Sequence, residues 1–224
     1  MSRRILSDYS GCLSMLFDSS FPRDPLPSPS TCPTAAFDKI EPLAHGITEF
    51  FASRSGGSFG KGIYRLFEVT EIPTWNDIVS HAFPGYQKRI MCFGFDWQGR
   101  VFALDAARKT EGQYEILLFE IGSGEIFQIP SNFLELHNRE FIEFADDALG
   151  KSFYDEWLAS GGEPPSHDEC IGFEVPLFLG GEQDVENLSP TSMEVYWEIS
   201  GQLLQQTADM EEGTVLGNIE IEDD

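Results

Sequence analysis

The chain has 224 residues, 41% of them hydrophobic, and its 19 Phe can fill a core, so length allows one large domain or two small ones. The formal net charge is −24 and it is segregated: residues 1–110 hold 12 Lys/Arg against 11 Asp/Glu, whereas residues 111–224 hold Arg139 and Lys151 against 27 Asp/Glu. Phosphate binding needs Lys and Arg, so direct nucleic-acid binding by the second half is excluded. No window is apolar for the length of a membrane span, and residues 1–20 lack the apolar core of a secretory signal, so no membrane association and a cytoplasmic location are expected.

In chain order, Leu13, Leu16 and Phe17 can share one face of a short helix, and the Pro/Ser-rich stretch Pro22 to Pro33 reads as a linker or extended strap. Phe37, Ile40, Leu43, Ala44, Ile47, Phe50 and Phe51 recur at three and four, predicting a helix over 35–53 that tolerates Pro42 near its first turn and ends at Gly56-Gly57. Ser58 to Gly62 is a turn feeding a strand over 63–69, and Trp75, Ile78, Val79 and Phe83 mark a helix over 72–84. The Gly-rich turn with Lys61 has the wrong spacing for a phosphate loop, and no helix start follows it.

Arg89 to His137 is the most ordered stretch. Strands are predicted at Ile90–Phe95, Val101–Leu104, Tyr114–Ile121 and Glu125–Ile129, separated by turns at Asp96-Trp97-Gln98-Gly99, Arg108–Gly112 and Gly122-Ser123-Gly124. Connections this short force antiparallel pairing, giving a four-stranded meander with one face to be covered by helices. Ser131 is the expected N-cap of a helix to Phe144, and a second helix is expected over 147–160, capped by Asp146 or Asp147 and stopped by Gly161-Gly162. Residues 163–169 form a polar loop. Ile171 to Leu179 holds Pro176 and reads as an edge strand or extended segment. Residues 182–189 are acidic and exposed. Ser192 to Thr207 is a final helix, with Met193, Tyr196, Trp197, Ile199, Ser200, Leu203 and Leu204 inward. The tail from Asp209 carries seven acids and no base, with a further strand conceivable at Thr214 to Glu222.

The fold class is therefore α+β, an antiparallel meander packed with several helices. Candidate chemistry is thin. Asp96, Asp105 and Glu120 come from neighbouring strands and turns and could converge on a divalent cation, but in so acidic a chain they read first as turn and surface acids. His137 reads as a hydrogen-bonded core residue. Cys12, Cys32, Cys92 and Cys170 lack ligand spacing and read as buried thiols, with Cys92 inert inside its strand. No catalytic residue, metal or cofactor is assigned, and no enzyme is expected. The acidic half serves solubility, or a halophilic host, or fast encounter with a basic partner.

Gly56-Gly57-Ser58-Phe59 with Gly62-Ile63-Tyr64-Arg65, Ala82-Phe83-Pro84 with Tyr86, and Gly94-Phe95-Asp96-Trp97-Gln98-Gly99-Arg100 resemble the GAD-related domain of bacterial proteins. A second set of motifs resembles the C-terminal domain of immunity proteins paired with type VI secretion DNase effectors. It comprises Glu125, Ile129-Pro130, Phe133, His137-Asn138, Phe153, Glu156-Trp157, Val175-Pro176-Leu177-Phe178-Leu179-Gly180-Gly181, Glu186-Asn187-Leu188 and Met193-Glu194-Val195-Tyr196-Trp197 to Gln202-Leu203. The likeness spans roughly 38–207, and the layout is similar to the SUKH immunity superfamily. It implies a GAD-related α+β domain at 38–130 and a helical immunity domain at 131–207 packed on the same sheet, and outside it lie an N-terminal extension or linker at 1–37 and an acidic tail at 208–224. It further implies an antitoxin that occludes the active site of a cognate toxin, a basic nuclease domain, with an acidic surface. The exposed acids Glu163, Asp168, Glu169, Glu182, Asp184 and Glu186 are the expected contacts. The alternative is an acidic adaptor or regulator of a basic partner that is not a toxin. The resemblance leaves the oligomeric state open.

Overall fold

The computed structural model describes residues 16–25, 34–208 and 210. Six antiparallel strands form the main sheet in sequence order: β1 (Ser58–Phe59), β2 (Tyr64–Leu66), β3 (Ile90–Asp96), β4 (Val101–Thr110), β5 (Gln113–Glu120) and β6 (Glu125–Ile129). The helices are α1 (16–20), α2 (Ile47–Arg54), α3 (Ile72–Ala82), α4 (Phe133–Glu135), α5 (Phe141–Glu143), α6 (Ala145–Leu149), α7 (Lys151–Ala159) and α8 (Met193–Thr207). A two-stranded antiparallel ribbon, β7 (Glu169–Phe173) with β8 (Leu188–Ser192), is separate from the main sheet. The class is α+β, as the sequence predicts.

The expected meander is β3 to β6, and β1 and β2 extend it through the pairing of Tyr64 with Asp96 and Leu66 with Gly94. Helices cover both faces, not one. On one side Phe83 packs on Phe119 and Trp75 on Phe95, and Trp197 of α8 meets Trp75 edge-on. On the other, Phe133 packs on Phe93 and Phe141 on Phe102, with Phe50 of α2 against Phe133. Double coverage is why Ile116, Leu117, Leu118 and Phe119 are all buried, where a half-exposed strand would alternate.

Several boundaries differ from the predicted ones. The helix over 35–53 is broken into 3-10 turns at Thr34–Phe37 and Glu41–Leu43 followed by α2. Gly46 is left-handed (φ 82°), and the Glu41 carboxylate accepts from Gly46 N (2.8 Å) and Thr48 N (2.9 Å), capping α2 from outside. Ser131 does not cap the next helix. Asn132 and Glu135 form a reciprocal capping box, while Ser131 Oγ donates to Glu140 (2.6 Å). The helical run then passes from α4 through a π turn at Leu136–Glu140 into α5. The helix expected over 147–160 is cut at left-handed Gly150 (φ 60°) into α6 and α7, and Asp146 caps the second piece through Ser152 N (2.7 Å). The extended segment over 171–179 is strand only as β7, then turns at Pro176, and the loop over 182–189 runs into β8. Helix α8 has Ser192 as its cap and buries Met193, Tyr196, Trp197, Ser200 and Gly201, but Ile199 is exposed. In α1, Phe17 is buried and Leu16 exposed. Leu13, Cys12, Cys32, most of the strap at Pro22 to Pro33 and the conceivable strand at Thr214 to Glu222 lie outside the described residues.

Candidate interaction surface

The ribbon is seated on the meander through backbone bonds. Ile171 N donates to Trp97 O (2.8 Å) and Leu177 N to Gly122 O (2.8 Å). The turn beneath is tight: Gly99 is left-handed (φ 78°), and a Cβ there would lie 3.0 Å from both Cys170 Sγ and Met193 Sδ. Asp96 builds that turn, its carboxylate accepting from Gln98 N, Arg100 N and Arg100 Nε at 2.6–3.0 Å. Burial pushes the Asp96 carboxyl above its ordinary range, and pairing with Arg100 works against that rise. The loop preceding the ribbon is held from within by Arg65, which has no exposed surface. Its guanidinium donates to the carbonyls of Ser166 (2.5 Å), Glu169 and Asp96 (2.9 Å) and stacks over Phe95 at 4.4 Å. Burial lowers this guanidinium to about 10, which still leaves it charged at neutral pH.

The six expected contact acids fall into two groups. Glu163, Asp168 and Glu169 lie in or just after the Arg65-anchored loop, where β7 begins. Glu182, Asp184 and Glu186 precede β8, whose register sets Leu188 against Phe173 at the opposite end of the ribbon. Four strand steps separate those ends, about 13 Å. Glu163, Asp168, Glu182 and Glu186 are exposed as expected, whereas Glu169 and Asp184 are half-buried because their loops fold around them. Glu169 accepts from Ser166 N and Oγ, and Asp184 Oδ1 accepts from Asn187 N (3.0 Å) to cap a 3-10 turn, so these two also shape their loops. Asn187 fastens the second loop further, bonding Val175 and Glu182 carbonyls at 2.9 Å each. The two bases of the second half are both ion-paired, Arg139 to Glu140 and Lys151 to Asp155.

Asp168 also edges a groove of about 300 Å³ between α3 and the start of α8. Phe67, Trp75 and Phe95 form its floor and Glu71, Asp168 and Glu194 its rim. A second groove, of about 320 Å³, lies between β5–β6 and α5–α6. Leu118, Phe127, Ile129 and Phe144 line it with Glu120, Glu140 and Asp147. Sequence reasoning missed both grooves, because each joins residues distant in the chain.

The remaining chemistry of the sequence is structural. Asp105 makes a two-point pair with Arg89 (2.6 Å each), which with the Ala107 N–H outweighs burial and lowers its carboxyl. With Asp96 held by Arg100, the three acids Asp96, Asp105 and Glu120 do not converge, and among the described residues no three His, Cys, Asp or Glu are grouped to hold a metal. The N–H groups of Lys61 and Gly62, the donors a phosphate would need, are taken by the Asp24 carboxylate (2.8 and 2.9 Å). Cys92 and Cys170 are buried, and burial raises both thiols. His137 is fully buried: Nδ1 donates to Phe133 O (2.8 Å), so Nε2 accepts from Tyr64 O–H (2.9 Å). No helix among the described residues is long and apolar enough to cross a membrane.

This is an acidic α+β protein with an antiparallel sheet between two helical layers and a fastened, acid-bearing ribbon at one end. The family model described as T6SS immunity protein Tdi1, C-terminal, matches residues 130–204, about a third of the chain. The structure is similar to a crystal structure of Atu4351 from Agrobacterium tumefaciens, with a TM-score of 0.55 and 16% identity over 83% of this chain and 86% of that one, a likeness of fold. No curated protein matches the sequence.

Proposed function

We propose that this chain is a cytoplasmic immunity protein that binds a cognate secreted toxin, a DNase effector of a type VI secretion system, and blocks its active site with an acidic surface. The observation that carries the reading is the charge segregation: 27 acids beyond residue 110, with their two accompanying bases both ion-paired. A nuclease presents a basic groove to DNA, and an acidic face held on fixed loops can occupy that groove as phosphates do. The family match at 130–204 supports the immunity role. In this reading the fold is of the SUKH kind, and residues 38–130 and 131–207 are its GAD-related and immunity parts. Glu163, Asp168, Glu182 and Glu186 contact the toxin, while Glu169 and Asp184 contact it and hold their loops. The groove floored by Phe67, Trp75 and Phe95 receives a Lys or Arg side chain, whose stem packs on the rings while Glu71, Asp168 and Glu194 meet its charge. The protein acts by binding and needs no cofactor.

The test is co-expression, in a bacterial host, of this chain with the secreted effector encoded beside its gene. Survival with intact DNA only when the chain is present is the expected result. Loss of viability and of DNA in its presence would refute the reading.

A further inference from the structure

The two edges of the main sheet are finished differently. Residues 22–24 cover β1: Arg23 bridges Phe59, Asp24 N donates to Ser58 O (2.8 Å) and Gly60 N to Pro22 O (2.9 Å). Strand β6 pairs with β5 on one side, and no strand among the described residues pairs with its other side. An open edge presents unpaired N–H and C=O groups and is a template for another strand. Beside this edge lies the groove of about 320 Å³, with Phe127 and Phe144 41% and 46% exposed. Large exposed aromatics in one concavity are what an interface uses as anchors.

We propose that the outer edge of β6 and this groove dock an extended basic segment of a partner polypeptide, which adds to the sheet as a seventh strand. Charge selects the occupant. Glu120 and Asp147 line the groove beside Glu140, which Arg139 already pairs, and Glu125 lies on the same sheet face as Phe127. Among the described residues Arg100 is the one base lining the groove, and Asp96 holds it. A second copy of this chain, at −24, is repelled. In an antiparallel addition, side chains two apart on the new strand stand beside Glu125, Phe127 and Ile129 on the groove face, so on that one face the segment carries Lys or Arg near the acids and apolar residues beside the rings. The proposal deepens the immunity reading and rests on it for the partner's identity, since the segment is assigned to the bound effector.

The probe is an eight-residue peptide in which Arg or Lys and Val or Phe take turns at every second position, on one strand face, with Thr between them, titrated into the ¹⁵N-labelled full chain. A peptide of equal charge with Pro at the Val positions, and one with Glu at the basic positions, serve as controls. Amide shifts and slowed exchange centred on Glu125–Ile129 are expected, with binding about tenfold or more weaker for the Pro peptide, which cannot join a ladder. The Glu peptide should not bind. Phe127→Ser with Phe144→Ser should weaken binding of the first peptide about tenfold without moving the melting temperature, as both rings are exposed. Equal binding of the Pro peptide, shifts confined elsewhere, undiminished binding by the double variant, or dimers forming through β6 would each overturn the proposal. The co-expression assay is separate: peptide docking at β6 without protection from the effector leaves this surface standing and removes the immunity reading, and protection without docking does the reverse.

Discussion

A guanidinium with no exposed surface holds the first acidic loop, and it does so through carbonyls and not through a carboxylate. Arg65→Met keeps much of the volume but leaves the Ser166, Glu169 and Asp96 carbonyls without their donors. The expected cost is roughly 3 kcal/mol in urea unfolding, with cleavage by protease appearing first at 163–168. Arg65→Lys should recover part of that, since an ammonium supplies donors but not the planar fork. His137 gives a pH signature. Burial lowers its imidazole from 6.5 to about 3. Between those values the unfolded chain binds the proton and the folded chain does not, so stability is full above about pH 6.5 and falls as the pH drops toward 3, at a slope approaching about 1.4 kcal/mol per pH unit. His137→Phe should flatten that part of the profile while costing about 1–3 kcal/mol at pH 7 for the stranded Tyr64 hydroxyl. An unchanged acid limb in the variant would contradict the assignment.

At the scale of elements, the meander was readable because each strand is a short apolar run bounded by Gly, Asp or Ser turns, and α3 and α8 because their apolar spacing is uninterrupted. The helix over 35–53 was not, since Phe37 to Phe51 keeps its three-and-four spacing across Pro42 and Gly46. Periodicity records which residues face inward and is silent on a break that preserves it. The Asn132 cap was hidden beside an equally eligible Ser131, although Glu135 three residues on was its signal. Asn132→Ala should cost about 1 kcal/mol, and Ser131→Ala should leave the cap intact. The acids of the site were legible only as exposed charge. That Asp184 caps a turn is visible in its spacing to Asn187, but that Glu169 follows a loop pinned by Arg65, 101 positions before Ser166, is a tertiary fact. The open edge of β6 is likewise a statement about a missing neighbour, which one strand's sequence does not contain.

For the whole molecule, residues 133–207 do not form a layer of their own. They send α4 and α5 to one face of the sheet, α7 to the Trp97 turn and α8 to the other face, where Trp197 Nε1 donates to Gly99 O (2.8 Å) and Gln205 reaches Ala82 O (2.7 Å). Expressed without residues 1–132, this part should show no cooperative melting transition, because its aromatic anchors lose the sheet they pack on. The charge makes a second demand: at −24 the excess acids repel one another, so added salt should raise the melting temperature of the free protein.

The same charge governs how fast the partner is met. The measurement is the association rate of this chain with the effector encoded beside its gene, from low to high ionic strength, for the native protein and for Glu182→Lys with Glu186→Lys, two exposed acids that neither cap nor fasten a loop through their carboxylates. The native rate should fall about tenfold or more with salt, and the variant should associate slowly with a flatter salt dependence. A rate indifferent to salt, with native and variant alike, would contradict it.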